Sequence, residues 1–280
     1  MVTKTHKSSE ATKVDFHVKG FSTIEYPERL KNLLFFFIEA WQKFCEQPTE
    51  LKERIPFIKG KGYENKDKNR NPELLDHKEK FHITYGYELP LHLKPTSTEI
   101  HLLLVVNKFI NEFMPLSEKV AEILQEVTGH GFTRHGNNKK NLTLRLLHYY
   151  PQDEPVLAHF HPDKGGHTFH LYDSVPGGLE SFWNDEWKPM KFTEGEMAIF
   201  PGLLGQQLSQ CQLRALCHRV VSSEESKKYG RYSVVLFCDY PEHPYRYNKE
   251  QFGPTQEVFS PGGNYKMLPL DFNKLFTHRY

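Results

Sequence analysis

The chain has 280 residues, with 36 basic against 35 acidic side chains and a formal net charge of +1. So even a balance argues against a nucleic-acid footprint or a polybasic membrane surface and favours a small-molecule partner. The length allows a large buried core, as one big domain or two small ones.

The N-terminus, MVTKTHKSSEATK, is polar and has no apolar run behind it, so residues 1–13 read as disordered, with no signal peptide. From Pro27 to Gln47 the residues Leu30, Leu33, Leu34, Phe37, Ile38, Trp41, Phe44 and Cys45 recur at helical spacing, which predicts an amphipathic helix with a wide buried face. Phe35-Phe36-Phe37-Ile38 is far too short to span a bilayer. The charged, glycine-containing stretch KGKGYENKDKNRN at 59–71 reads as a mobile surface loop. A second helical region is expected over 97–127, carried by Leu103, Val106, Phe109, Ile110 and Phe113, kinked or divided at Pro115, and resumed by Leu116, Val120, Ile123 and Leu124.

After Gly131 the period changes. LTLRLLHYY, PVLAHF, HTFHLYD, LESFW, EMAIF, LCHRVV and RYSVVLFCD follow one another, each run closed by a turn-former. Short strands at that spacing predict a sandwich or barrel, and a double-stranded β-helix (jelly roll) supported by helices is the expected fold, mostly β with α. The parts are then a disordered 1–13, a helical 14–130, a jelly-roll core at 131–240 and a Pro-containing wrapping tail at 241–280, acting as one unit. The four cysteines, Cys45, Cys211, Cys217 and Cys238, lack C-x-x-C spacing and lie in apolar segments. They read as free core thiols in a reducing, cytoplasmic compartment.

The segment AHFHPDKGGHTFH, residues 158–170, crowds imidazoles around one carboxylate. Neutral imidazole is the commonest biological metal ligand. On a strand, residues two apart share a face, so His161 and Asp163 can offer a nitrogen and an oxygen to one ion. His218, inside LCHRVV, supplies a third ligand from another strand. Two histidines and a carboxylate on one side of an iron leave adjacent positions open for oxygen and a co-substrate. His159 shares the face of His161, but an H-x-H site would want a glutamate near Gly165. His159 therefore reads as lining the cavity or as a structural imidazole, and His167 and His170 as exposed or structural.

Taken in order, HPDKGGHTFHLYDSVPGGLE, His218-Arg219-Val220 and Arg231-Tyr232-Ser233 resemble the motifs of iron(II)/2-oxoglutarate-dependent dioxygenases, the isopenicillin N synthase-like branch being most similar. The resemblance covers roughly residues 25–240. It implies Fe(II) on His161, Asp163 and His218, and 2-oxoglutarate held at its far carboxylate by Arg231, Ser233 and Tyr150, the last from LHYYP. Oxygen is the second co-substrate. His148 departs from the asparagine frequent in that strand. An arginine fork and a hydroxyl on one strand face suit a carboxylate. The implied reaction oxidises a small molecule, by hydroxylation or by desaturation or ring closure, with succinate and carbon dioxide released. Halogenation is not implied, because Asp163 keeps the carboxylate that halogenating relatives replace. Two rivals remain: an isopenicillin N synthase-type oxidase that uses no keto acid, and a silent metal-binding scaffold or sensor. Tyr63, Lys78, Phe81 and Tyr85 read as fold support that could also face substrate.

Overall fold

The computed structural model describes residues 9–240 except 75, 131 and 133–138, together with the strands Glu257–Ser260 and Gly263–Lys266. The expected wrapping tail falls mostly outside the described residues.

Two antiparallel sheets form the body. β1 (Ser22–Glu25), β2 (Gly62–Lys66), β3 (Lys78–Thr84), β4 (Leu142–Tyr149), β6 (His167–Asp173), β9 (Glu196–Pro201) and β11 (Arg231–Cys238) build a seven-stranded sheet in the order β1-β9-β6-β11-β4-β3-β2. β5 (Val156–Pro162), β7 (Leu179–Trp183), β8 (Glu186–Pro189) and β10 (Cys217–Val221) form a second sheet in the order β5-β10-β7-β8. Consecutive strands alternate between sheets through much of this region, the pattern of a jelly roll. Each of the seven apolar runs after Gly131 is a strand.

The larger sheet is apolar on both faces, as a sheet covered on both sides must be. Along β4, Leu142, Leu144 and Leu146 join the cluster shared with the helices, whereas Leu147 and Tyr149 join a second cluster between the sheets. β11 alternates the same way, with Val234, Leu236 and Cys238 outward and Val235 and Phe237 inward. Helices α1 (Ser9–Lys19), α2 (Glu28–Cys45), the single turn α3 (Thr49–Lys52) and α4 (Ser97–Thr128) precede the core strands. α2 and α4 lie on the outer face, the latter started by a capping box between Thr96 and Glu99. Their contact with the sheet is largely aromatic: Phe113 of α4 meets Phe169 of β6 edge to face at 4.9 Å.

Four expectations need correction. Helix α1 begins at Ser9, so the disordered terminus cannot extend to 13. The segment expected to be a mobile loop at 59–71 contains β2, which pairs with β3 in register Tyr63↔Phe81. Its tyrosine is buried in the core, a local apolar anchor that the surrounding charges hid. Pro115 does not divide its helix; Ser97–Thr128 is one element, with Phe113, Met114 and Leu116 all buried around the proline. Packing on the sheet outweighs the one helical hydrogen bond that proline removes. β1, β2 and β3, moreover, come from the stretch read as helical, so that half completes the barrel sheet as well as bracing it.

Phe113→Ala should cost about 3–5 kcal/mol of stability, because a fully buried ring joining helix to sheet leaves a cavity. Urea denaturation of the variant beside the wild type would measure it.

Candidate metal centre and its cavity

A cavity of about 360 Å³ lies between the sheets, within the range of small-molecule sites. His161, Asp163 and His218 all line it. β5 and β10 pair with His218 directly opposite His161, and the rings sit 4.7 Å apart between centroids. Asp163 follows the end of β5, where the chain turns. His161 Nε2 is 3.8 Å from Asp163 Oδ1 and His218 Nε2 is 4.0 Å from Asp163 Oδ2. Ligand atoms bonded to one ion at about 2.1 Å lie about 3 Å apart, so a modest contraction brings these three onto a shared metal.

The tautomers are set by the backbone. His161 Nδ1 donates to the His159 carbonyl at 2.8 Å, and His218 Nδ1 donates to the Leu216 carbonyl at 3.1 Å. A carbonyl only accepts, so each Nδ1 carries a proton, and in the neutral ring Nε2, on the side of Asp163, is the nitrogen left to meet an ion. The Thr168 hydroxyl, two strand residues from His170 on β6, donates to Asp163 Oδ2 at 2.6 Å and fixes the carboxylate. Burial pushes the His218 pKa down and keeps the imidazole neutral despite the facing carboxylate. Burial would raise Asp163, but His218, His161 and the Thr168 bond outweigh it and hold the carboxyl ionised. A neutral His218 and an ionised Asp163 are in the protonation states that metal binding requires.

The turn carrying Asp163 is clamped from below. The backbone N–H groups of Leu203 and Leu204, opening the short helix Leu203–Leu208, donate to the carbonyls of Asp163 and Lys164 at 2.8 and 3.2 Å. These are donors that a helix start leaves unpaired. The approach is close enough that a Cβ on Gly205 would stand 1.9 Å from the Gly166 carbonyl oxygen.

The arginine of the R-x-S pair is fully buried. Arg231 Nε donates to Asp173 Oδ1 at 3.0 Å, and its Nη2 lies 2.6 Å from Asp173 Oδ2. Asp173 is also met by His170 Nε2 at 2.7 Å. Burial opposes the charge on Asp173, but Arg231 and then His170 hold its pKa down at about 2. Nη2 of Arg231 makes no hydrogen bond beyond that ion-pair contact, and Nη1 is buried without a hydrogen-bond partner among the described residues. Gly178 makes room for it, since a Cβ there would sit 1.9 Å from Nη1. Ser233, on the same face of β11, lines the cavity. An orphaned guanidinium nitrogen beside a cavity-lining hydroxyl fits the carboxylate of an organic acid.

The alternation of β4 overturns one expected contact. Arg145, Leu147 and Tyr149 face the cavity, so Tyr150 turns away: its hydroxyl donates to Asn65 Oδ1 at 3.0 Å and its ring packs on His77 and His148. Tyr149 is the tyrosine of that pair which lines the site. His148, on the helix side, stacks on Tyr232 at 4.2 Å and donates to Glu79 at 2.8 Å. Cys45, Glu79 and His148 form a second grouping of ligating side chains. Lys52 Nζ sits 2.5 Å from Glu79 Oε2 there, so an ammonium already occupies the place of a cation.

Other expectations resolve similarly. His159 and Lys78 line the cavity, whereas Tyr63 and Phe81 are core. His167 and His170 are buried, not exposed, and His170 lines the cavity. Of the four free thiols only Cys211 is exposed. β10 is linked to β11 by the helix Glu224–Tyr229, which carries the chain from one sheet to the other. The sequence reading missed Arg145; its position facing Leu147 and Tyr149 on one strand face was the available signal.

Fold and site thus define a jelly roll that converges two histidines and a carboxylate on one cavity. Residues 141–240 match the family model of the 2OG-Fe(II) oxygenase superfamily. The chain is similar to a leucoanthocyanidin dioxygenase of Perilla frutescens, 24% identical over 99% of this chain and 76% of that protein. It also resembles 1-aminocyclopropane-1-carboxylate oxidase homolog 6 of Arabidopsis thaliana, 26% identical over 69% of this chain and 53% of the relative. Among solved structures, the dioxygenase for auxin oxidation 1 of Arabidopsis thaliana, in its complex with 2-oxoglutarate, superposes with a TM-score of 0.65 at 18% identity, covering 88% of this chain and 94% of that one. The segment that matches this superfamily's model is the jelly-roll part of the chain, and it carries His161, Asp163, His218 and Arg231.

Two outcomes follow for the site. Thr168→Val should weaken Fe(II) binding about 10–100-fold by loosening the Asp163 carboxylate, read from an anaerobic metal titration. Asp173 contributes stability while it is ionised, and that contribution falls away as pH drops from about 4 toward 2. Asp173→Asn strips the buried Arg231 of its counter-charge and should cost about 3–5 kcal/mol at neutral pH. Denaturation curves would then lose much of their slope between those pH values.

Proposed function

We propose that His161, Asp163 and His218 hold Fe(II), that Arg231 and Ser233 receive the far carboxylate of 2-oxoglutarate, and that the chain oxidises a small-molecule substrate in the cavity, most simply by hydroxylation. The observation that carries this reading is the pair of backbone-fixed imidazoles, both turning Nε2 toward one ionised carboxylate. When bound, iron and keto acid together activate oxygen and oxidise a C–H bond, releasing succinate and carbon dioxide. The protein's own residues orient and desolvate. Thr168 holds the carboxylate, Gly178 leaves space for the Arg231 fork, and Phe200, Val220, Val235 and Phe237 give the cavity apolar walls.

The supports for a small-molecule substrate are the cavity volume and the even charge balance. Among the described residues no helix is long and apolar enough to cross a membrane. With three free cysteines buried, a reducing cytoplasmic location fits this reading. Residues 131–240 act here as the catalytic core, with 14–130 bracing it.

The test is succinate formation from 2-oxoglutarate with Fe(II) and oxygen across a substrate library, with His218→Ala as blank. Wild type should respond to at least one compound and the blank to none; equal turnover by both would end the assignment of His218. Consumption of oxygen without any succinate would instead favour the keto-acid-independent oxidase. Ser233→Ala should raise the KM for 2-oxoglutarate about tenfold, the worth of a hydrogen bond to a charged group.

A further inference from the structure

A second cavity, of about 640 Å³, lies between α2, the end of β6 and the segment 190–196 that leads into β9. Its size falls within the range of small-molecule sites. None of His161, Asp163 and His218 lines it, and among the described residues Leu179 alone lines both cavities. The two apolar clusters meet in its wall: Leu34, Ile38 and Leu171 belong to the one under the helices, Leu179 and Met190 to the one between the sheets. Helix α2 turns Lys31, Leu34, Phe35 and Ile38 to the cavity, spaced i, i+3, i+4 and i+7. One helical stripe thus supplies an ammonium, an aromatic ring and an aliphatic floor. Phe35 is still 53% exposed there, a large apolar face that its own fold leaves open.

Two ammonium groups line this cavity, Lys31 from α2 and Lys191 from the segment before β9. Neither side chain has an ion-pair or hydrogen-bond partner among the described residues. The Lys31 ammonium lies along Gly195, where a Cβ would stand 3.8 Å from Nζ. Gly195 holds a φ of 98°, a conformation that favours glycine, so bare backbone borders the ammonium. Most of the carboxylates on the wall are engaged elsewhere. Asp173 is held by Arg231 and His170, and Glu196 accepts from the Thr193 N–H and hydroxyl at 2.8 and 2.7 Å. Glu194 is the remaining one, and it is exposed. Two unengaged cations therefore face the cavity against a single solvated anion, above a floor that is apolar.

We propose that this cavity is a second ligand site and takes an amphipathic organic acid, its carboxylate at Lys31 and Lys191 and its apolar body along Phe35 and Ile38. The site is separate from the metal centre and goes beyond the oxygenase reading. The apolar body supplies the affinity by leaving water. The lysines supply the preference for an anion, of the modest size that partly exposed ammonium groups give.

The experiment is isothermal titration of the full chain with octanoate, 1-octanol and octylamine, which share one apolar chain and differ in charge at neutral pH. Wild type should bind octanoate about fivefold more tightly than 1-octanol, the worth of a partly exposed ion pair, and octylamine most weakly. The double variant K31Q/K191Q should lose that order while still binding 1-octanol, which shows that the cavity is intact. K31R/K191R should keep the order. Phe35→Ala should weaken octanoate and 1-octanol alike. Saturating Fe(II) and 2-oxoglutarate under nitrogen should not displace octanoate from wild type; displacement would put the acid in the metal cavity and overturn the proposal. No preference for the acid in wild type overturns it too, as does a preference that survives in K31Q/K191Q.

Discussion

The whole site depends on one cross-strand pair. β5 and β10 are aligned so that His218 stands opposite His161, and everything else at the metal centre is arranged around the two nitrogens that result. Side chains on a strand alternate faces, so a slip of one residue would turn His218 out of the cavity and bring Cys217 or Arg219 in its place. The pairing is buttressed from both sides: β10 also pairs with β7, and the turn after β5 is hydrogen-bonded to the helix start at Leu203. A bulge falls between His218 and Val220, both of which line the cavity, directly after the aligned pair.

A second constraint governs Arg231, two residues along β11 from the cavity-lining Ser233. Arg231 is wholly buried, which is tolerable only with a counter-charge, and Asp173 supplies it. His170 completes the group and also faces the cavity, so the Arg231–Asp173 pair and the cavity lining are joined by hydrogen bonds. One guanidinium nitrogen left over in such a network is costly unless a ligand meets it.

Much of this was legible locally. The strands after Gly131 announce themselves because each carries its own run of β-formers, and a metal set concentrated in His161-Pro162-Asp163 needs no tertiary knowledge to notice. The N-terminal strands were not legible, because β2 lies in a charged stretch and its only strong anchor is Tyr63. Pro115 misled for a related reason: the propensity cost is local, while the packing of Phe113 and Leu116 that overrides it is not. Tyr150 and Tyr149 are adjacent tyrosines of identical chemistry, and only the alternation fixed by the pairing of β4 with β11 tells them apart.

The sequence by itself determined which side chains could form the centre, since ligand chemistry and short-range spacing are properties of the chain alone. It determined the sheet-rich class for the same reason, through the period of its apolar residues. The tertiary structure decided which of those side chains face one another: Tyr149 in place of Tyr150, Asp173 on Arg231, His82 under Arg145. Such pairings join residues far apart along the chain, and their partners are chosen by strand register and burial, which no local pattern encodes.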